Sequence, residues 1–277
     1  MTQPCPNTRQ ALAPSLRAQA LQLLLLCSTQ DKAAAVRAFD SRHTSVDSQT
    51  TLKEPDGLPG RPLLPTLVHP SALKSRSVGT LEGHASLIHA LTHIEANAIN
   101  LALDIVWRFA DMPEVFYRDW WQVAVEEALH FELLEGHLRS LGYAYGDFPA
   151  HDGLWDMASR TRGDLLARLA LVPRTLEARG LDATPAIGNK LVSIGDKRGA
   201  AILDIILRDE IGHVATGNRW YGALCSQRGL DPVLTYAQLA QTHGAPLLKG
   251  PFNVNARRAA GFSEADLDAL CGTPQVA

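Results

Sequence analysis

The sequence predicts an all-α protein built on a four-helix bundle, with additional helices before and after it. Three observations predict this. Long apolar stretches recur with helical spacing, and none alternates as a strand would. Helix-starting and helix-breaking residues fall at the ends of those stretches. Glu-x-x-His occurs twice inside them, as Glu127 to His130 and as Glu210 to His213. Residues three apart lie on one helix face, one turn from each other.

The 277 residues, 46% of them hydrophobic, are enough for a substantial core. A net charge of −3 gives no global attraction to nucleic acid or to an anionic membrane. Cys5, Cys27, Cys225 and Cys271 are scattered, with no Cys-x-x-Cys. That pattern predicts free thiols in a reducing compartment. The run Leu23-Leu24-Leu25-Leu26-Cys27 is short for a signal peptide and carries a large residue before its cysteine. It reads as one side of an amphipathic helix, so a cytoplasmic location is expected.

Residues 8–42 read as two short helices. Leu12, Leu16, Ala20, Leu23 and Leu24 form the stripe of the first, and Asp31 is the expected cap of the second. Residues 43–80 carry Pro55, Pro59, Pro62, Pro65 and Pro70 with Gly57 and Gly60, an extended connector. Leu58, Leu63, Leu64, Leu67 and Val68 predict that it wraps the bundle. The domain organisation expected is an N-terminal helical extension (1–54), a wrapping connector (55–81), the bundle (82–228) and a C-terminal helical extension (229–277).

The first bundle helix runs over 82–110. Met112-Pro113 turns the chain into a second helix over 114–141, an antiparallel neighbour. Residues 142–156 form the irregular connection along the bundle that such folds need. The third helix spans 160–179, kinked at Pro173 and stopped at Gly180. Residues 181–198 form a shorter helical or turn segment. The fourth helix spans 199–227 and is ended by Gly229 and Pro232. The tail adds a helix over 236–242, then one opened by the near capping box Ser263-Glu264-Ala265-Asp266.

A lone Glu-x-x-His occurs by chance, so the faces decide. Glu127 shares its face with Trp120, Val123, Ala124, Phe131 and Leu134. Glu210 shares its face with Leu203, Ile206, Leu207, Val214 and Tyr221. Glu95 lies with Ile88, Leu91, Ala98, Ile99 and Ala102, and Glu177 with Leu166, Leu169, Ala170 and Pro173. Glu132 and Glu135 instead read as solvent-facing. Four buried acids cost several kcal/mol each, about 3–5, if left uncompensated. Buried ion pairs or helix ends would compensate them, but the same faces carry almost no Lys or Arg. A pair of metal ions would also do so.

Glu95, Glu127 and His130 then serve one ion, and Glu177, Glu210 and His213 the other, with Glu127 and Glu210 as bridges. Carboxylate and imidazole without thiolate suits two iron ions, or manganese. Asp209, Glu126 and His93 are the expected supports of these ligands, Asp209 for the far nitrogen of His130 and Glu126 for that of His213. His84, His89 and His93, with Asn97 and Asn100, make a polar stripe suited to a hydrogen-bond network or to contact with the N-terminal wrap. The tryptophans and Tyr221 read as packing, and Arg257-Arg258 as a solvated pair.

Several stretches resemble the ferritin-like superfamily, and more closely an uncharacterised bacterial family described as a ferritin-like domain of unknown function. They are His93-Ile94-Glu95-Ala96, Glu126-Glu127-Ala128-Leu129-His130-Phe131, Leu176 to Asp182, and Asp209-Glu210-Ile211-Gly212-His213-Val214. Tyr145-Gly146-Asp147-Phe148 and Gly250-Pro251-Phe252-Asn253 belong with them. The likeness covers residues 55–262. It implies a ferritin-like four-helix bundle and the six ligands named above, and no reaction. Di-iron tRNA hydroxylases are more distantly similar, but the chain lacks a basic RNA surface.

The expected function is that of a di-iron carboxylate protein, an oxygen-activating oxidase or hydroxylase. The alternatives are a ferroxidase or iron-handling protein, and a metal-free helical scaffold. The expected partners are a small-molecule substrate or dioxygen. Neither nucleic acid nor a membrane is expected, and a homodimer is left open.

Overall fold

The computed structural model describes residues 15–74 and 76–272. Among these, every regular element is helical apart from one isolated bridge between Leu67 and Ala150. The chain divides into two compact units, one ending at Asp152 and the other starting at Gly153.

The first unit contains α1 (Leu16–Leu24), α2 (Thr29–Ala38), a 3-10 turn (Pro70–Ala72), α3 (Leu81–Arg108) and α4 (Glu114–Ser140). Serines start the two short helices. Ser15 accepts from the Ala18 amide, and Ser28 from the Asp31 amide. Asp31 is therefore not the cap expected of it; it sits in the first turn, where its charge suits the helix dipole. Between α3 and α4, Tyr117 Oη receives the Met112 amide and donates to Phe109 O. That closes the Met112-Pro113 turn.

Backbone carbonyls hold the connector in place. The Arg17 guanidinium donates to Asp47 O, Thr50 O and Trp107 O at 2.9, 2.6 and 2.8 Å. The buried Lys32 Nζ donates to Leu24 O, Gly60 O and Asn100 Oδ1 at 3.2, 3.0 and 2.6 Å. Gly60 passes so close to α1 that a Cβ would stand 2.1 Å from Leu25 O, which only glycine permits. The leucines expected to anchor this segment do not: Leu63, Leu64 and Leu67 are 85%, 55% and 40% exposed. Cys225 and Cys271 are free thiols. Cys27 is disulfide-bonded, against the expectation of free thiols throughout. Cys5 and the start of the first predicted helix lie outside the described residues.

The second unit contains α5 (Gly153–Arg160), α6 (Leu165–Leu171), a π-helical segment (Val172–Glu177) and α7 (Ala178–Ser193). It continues with α8 (Lys197–Gln227), α9 (Pro232–Thr242), α10 (Val254–Ala259) and α11 (Glu264–Gly272). Pro173 produces the π-helical widening rather than a simple kink, because it has no amide to continue the α ladder. Helical structure runs on through Gly180 to Ser193, so Gly180 is not the expected stop. Pro232 opens α9 rather than only ending its predecessor; at the first position its missing amide costs nothing, and Asp231 caps the helix. Ser263 and Asp266 exchange the reciprocal bonds of a capping box.

The Gly250-Pro251-Phe252-Asn253 stretch docks the tail on α7. Asn253 donates its amide to Asp182 Oδ1 and its Nδ2 to Leu181 O. Arg257 is fully buried and grips both oxygens of Asp182, at 3.0 and 2.6 Å. It is not the solvated residue expected, whereas Arg258 is exposed and pairs with Glu264. Phe262 takes the Arg174 guanidinium 4.7 Å and the Arg257 guanidinium 5.1 Å from its ring. Among the described residues, no helix is long and apolar enough to cross a membrane.

Candidate metal centre

In the first unit, α3 and α4 turn matching faces inward. Ile88, Ala98, Ile99 and Ala102 are buried beside Glu95. Trp120, Val123, Ala124, Phe131 and Leu134 are buried beside Glu127. Glu95 is 4% exposed, and Glu127 and His130 are 0% exposed. His130 Nδ1 lies 3.3 Å from Glu127 Oε2 and 3.4 Å from Glu95 Oε2. The three residues each offer a ligand atom within 4.8 Å of the others. Glu95 Oε2 is buried and accepts no hydrogen bond.

Two acids and an imidazole at this depth are electrostatically expensive without a cation. Burial raises the Glu95 carboxyl well above its ordinary value, and the Glu127 charge adds to the rise. Burial alone would lower His130, but Glu127 and Glu95 outweigh it and push the imidazole up to about 11. The trio therefore holds protons that a metal ion would replace. A buried, close-set carboxylate and imidazole donor set with an orphaned oxygen fits a metal ion, and this buried cluster could hold one.

In the second unit, Glu210 and His213 are buried on α8, 7% and 1% exposed, with Leu203, Ile206, Val214 and Tyr221. His213 Nδ1 is 3.8 Å from Glu210 Oε1. Glu177 ends the π-helical segment and is half-buried. Its predicted face companions Leu166, Leu169, Ala170 and Pro173 are buried. Glu177 and His213 are drawn into no tight group of three or more ligating side chains among the described residues.

The expected supports are placed as follows. Asp209 accepts from Arg208 Nε and Nη2, at 2.8 and 3.2 Å. Glu126 is half-buried and accepts from Gln122 at 2.9 Å. His93, two residues from Glu95, lies round the far side of α3. It bonds Tyr145 Oη at 2.8 Å and His151 O at 3.0 Å. His89 accepts the Gly146 amide and stacks on Tyr145. The polar stripe thus engages the 142–152 loop, and at Asn100 it meets Lys32. Burial lowers both His89 and His93 to about 4, so both are neutral.

One other expectation is corrected. Glu135 is buried rather than solvent-facing, and accepts from Arg139 at 2.6 Å. Glu132, its side chain 35% exposed, pairs with Arg37 at the surface. Lys32 and His137 also matter here, and sequence reasoning missed both; it met Tyr145 only within the Tyr145-Gly146-Asp147-Phe148 stretch and gave it no role. Only His137 carried a signal, standing seven residues, two helical turns, after His130.

A family model described as "Protein of unknown function (DUF455)" matches residues 26–268. The chain belongs to that family. An uncharacterized protein of Haemophilus influenzae is 49% identical to this DUF455 chain over 220 residues, covering 77% of the chain and 76% of the relative. No solved structure matches it. The DUF455 match takes in all six predicted ligands and most of the docked tail, and assigns them no role.

Proposed function

We propose that this DUF455 protein is a dinuclear-metal carboxylate protein with a ferritin-like bundle, and that it acts as a di-iron oxidase or hydroxylase. The observation that carries the reading is the buried trio Glu95, Glu127 and His130, whose donors converge without a hydrogen bond to Glu95 Oε2. The repeat of the same spacing on α8, with Glu210 and His213 also buried, supports a second ion. Glu177 would complete that second set.

When bound, a pair of redox-active ions supplies the electrons that activate dioxygen. The chain's own residues bind and enclose the ions. Glu95 and His130 give up protons as the ligands bind, so uptake of metal releases acid. Trp120, Phe131 and Leu134 are almost fully buried beside the ligands and keep water from their face.

The test is anaerobic ferrous loading of metal-free protein, followed by oxygen. Two irons per chain, and an iron-dependent near-ultraviolet band that appears with oxygen, are the expected result. Protein that takes up neither iron nor manganese after reconstitution would instead be a metal-free scaffold. Continued oxidation of excess ferrous ion with release of ferric product would mark iron itself as the substrate.

A further inference from the structure

The inward face of α3 and α4 does not end at Glu95, Glu127 and His130. His84 stands eleven residues before Glu95, and His137 seven residues after His130. These are three and two turns of helix, so both histidines fall on the ligand face of their own helix. In this antiparallel pair both displacements run toward the same end, the start of α3 and the finish of α4. His137 is 4% exposed and His84 is half-buried. Their rings lie 6.0 Å apart, centre to centre, at 61°. A ligating nitrogen of each is within 4.8 Å of one on the other.

Ser140 Oγ donates its proton to His137 O at 2.6 Å. The same oxygen lies 3.3 Å from His137 Nδ1, which ties the imidazole to the end of its own helix. The last turn of α4 adds the negative end of its dipole, which favours a cation.

We propose that His84 and His137 form a second metal site, separate from the acidic trio and selective for an imidazole-preferring divalent ion such as zinc or copper(II). Ile88 and Leu134, both fully buried, stand between the two sets of ligands on the same faces. Along α4 the separation is about 10 Å, seven residues at 1.5 Å each. The ligand chemistry also differs. Imidazole pairs suit zinc and copper, whereas the acid-rich trio suits iron or manganese. The site tethers the start of α3 to the end of α4, so binding stabilises the folded helix pair.

The experiment uses full-length, metal-free protein carrying Glu95→Gln, Glu127→Gln and Glu210→Gln, which disables both carboxylate-bearing ligand sets. Calorimetric titration with zinc should find one ion per chain and a rise in Tm. Adding His84→Ala or His137→Ala should weaken that binding by more than about tenfold and abolish the rise. Copper(II) should show imidazole nitrogen splitting in its paramagnetic resonance spectrum, lost in the same variants. Circular dichroism checks folding; because His84 is half-exposed, its variant keeps the test valid if the His137 variant unfolds. Undiminished zinc uptake in the folded His84 variant, or no zinc uptake in the parent, would overturn the proposal. Neither result bears on iron binding by the acidic trio.

Discussion

Gly217 on α8 faces the Pro173 ring so closely that a Cβ there would stand 2.6 Å from Pro173 Cβ and 2.8 Å from its Cγ. The rigid ring cannot swing aside, and it belongs to the π-helical segment that ends at Glu177. Glycine at 217 is therefore what lets that segment settle against α8.

Gly217→Ala is expected to destabilise the protein. Alanine gains up to about 1 kcal/mol in helix propensity, but overpacking against a ring costs about 1–3 kcal/mol. Gly222, on the same helix, faces open space, and a Cβ there would meet nothing within 4 Å. Gly222→Ala should stabilise by up to about 1 kcal/mol. Urea unfolding of the two variants gives opposite signs if the Pro173 contact is decisive. Gly217→Ala should also lower the affinity for the second ion proposed at Glu177, read by ferrous titration.

Lys32→Met keeps the bulk of the side chain but removes the donor that Leu24 O, Gly60 O and Asn100 Oδ1 share. A loss of about 1–3 kcal/mol is expected at neutral pH. The connector should loosen first, read as faster amide exchange at Gly60, whose own amide is bonded to Leu24 O.

The pH dependence of metal-free protein has two opposed parts. His130 is raised from 6.5 to about 11, so the stability it confers is full below pH 6.5 and is lost as pH rises toward 11. Glu95 is also raised above 4.5 and acts in the same direction, beginning at lower pH. Lys32 is lowered by burial from 10.5 to about 7, so its penalty is full below pH 7 and is relieved between 7 and 10.5. Relative to wild type in chelator, Glu127→Gln should lose stability less steeply above pH 6.5. Lys32→Met should lose it more steeply above pH 7. Denaturation midpoints across pH 6–10 check both slopes.

Arg257→Ala removes one partner of a buried pair and leaves Asp182, only 12% exposed, facing an apolar tail. A loss of about 3 kcal/mol is expected. It should be local, because Arg257 serves mainly to hold residues 250–272 on α7. Limited proteolysis should cut sooner within residues 243–252 while α3 and α4 remain protected.

The long helices were legible because their signals are local. The expected spans 82–110, 114–141 and 199–227 fall within two residues of α3, α4 and α8 at every end. Burial of Glu95, Glu127, His130, Glu210 and His213 followed from the residues three, four and seven positions away. What was not legible depended on distant partners. Arg257 meets an acid 75 residues earlier, and Lys32 meets Asn100 68 residues later. No periodicity announces either. Pro173 reads as a bend because sequence shows the missing amide but not the glycine on α8 that makes room for the ring. Glu177 remains half-buried for a related reason, since it ends a widened turn rather than a regular one.

Helix α3 is held on opposite sides by unlike means. One side is apolar and carries Glu95; the other is bonded through His89 and His93 to the loop and through Asn100 to Lys32. A slide of one turn along its axis would put Leu91 or Ile99 where Glu95 stands and would tear every bond on the polar side. The carboxylate is thus aimed by contacts that involve no metal. An arriving ion would find its first ligand already set, and the work of orienting it would have been done during folding.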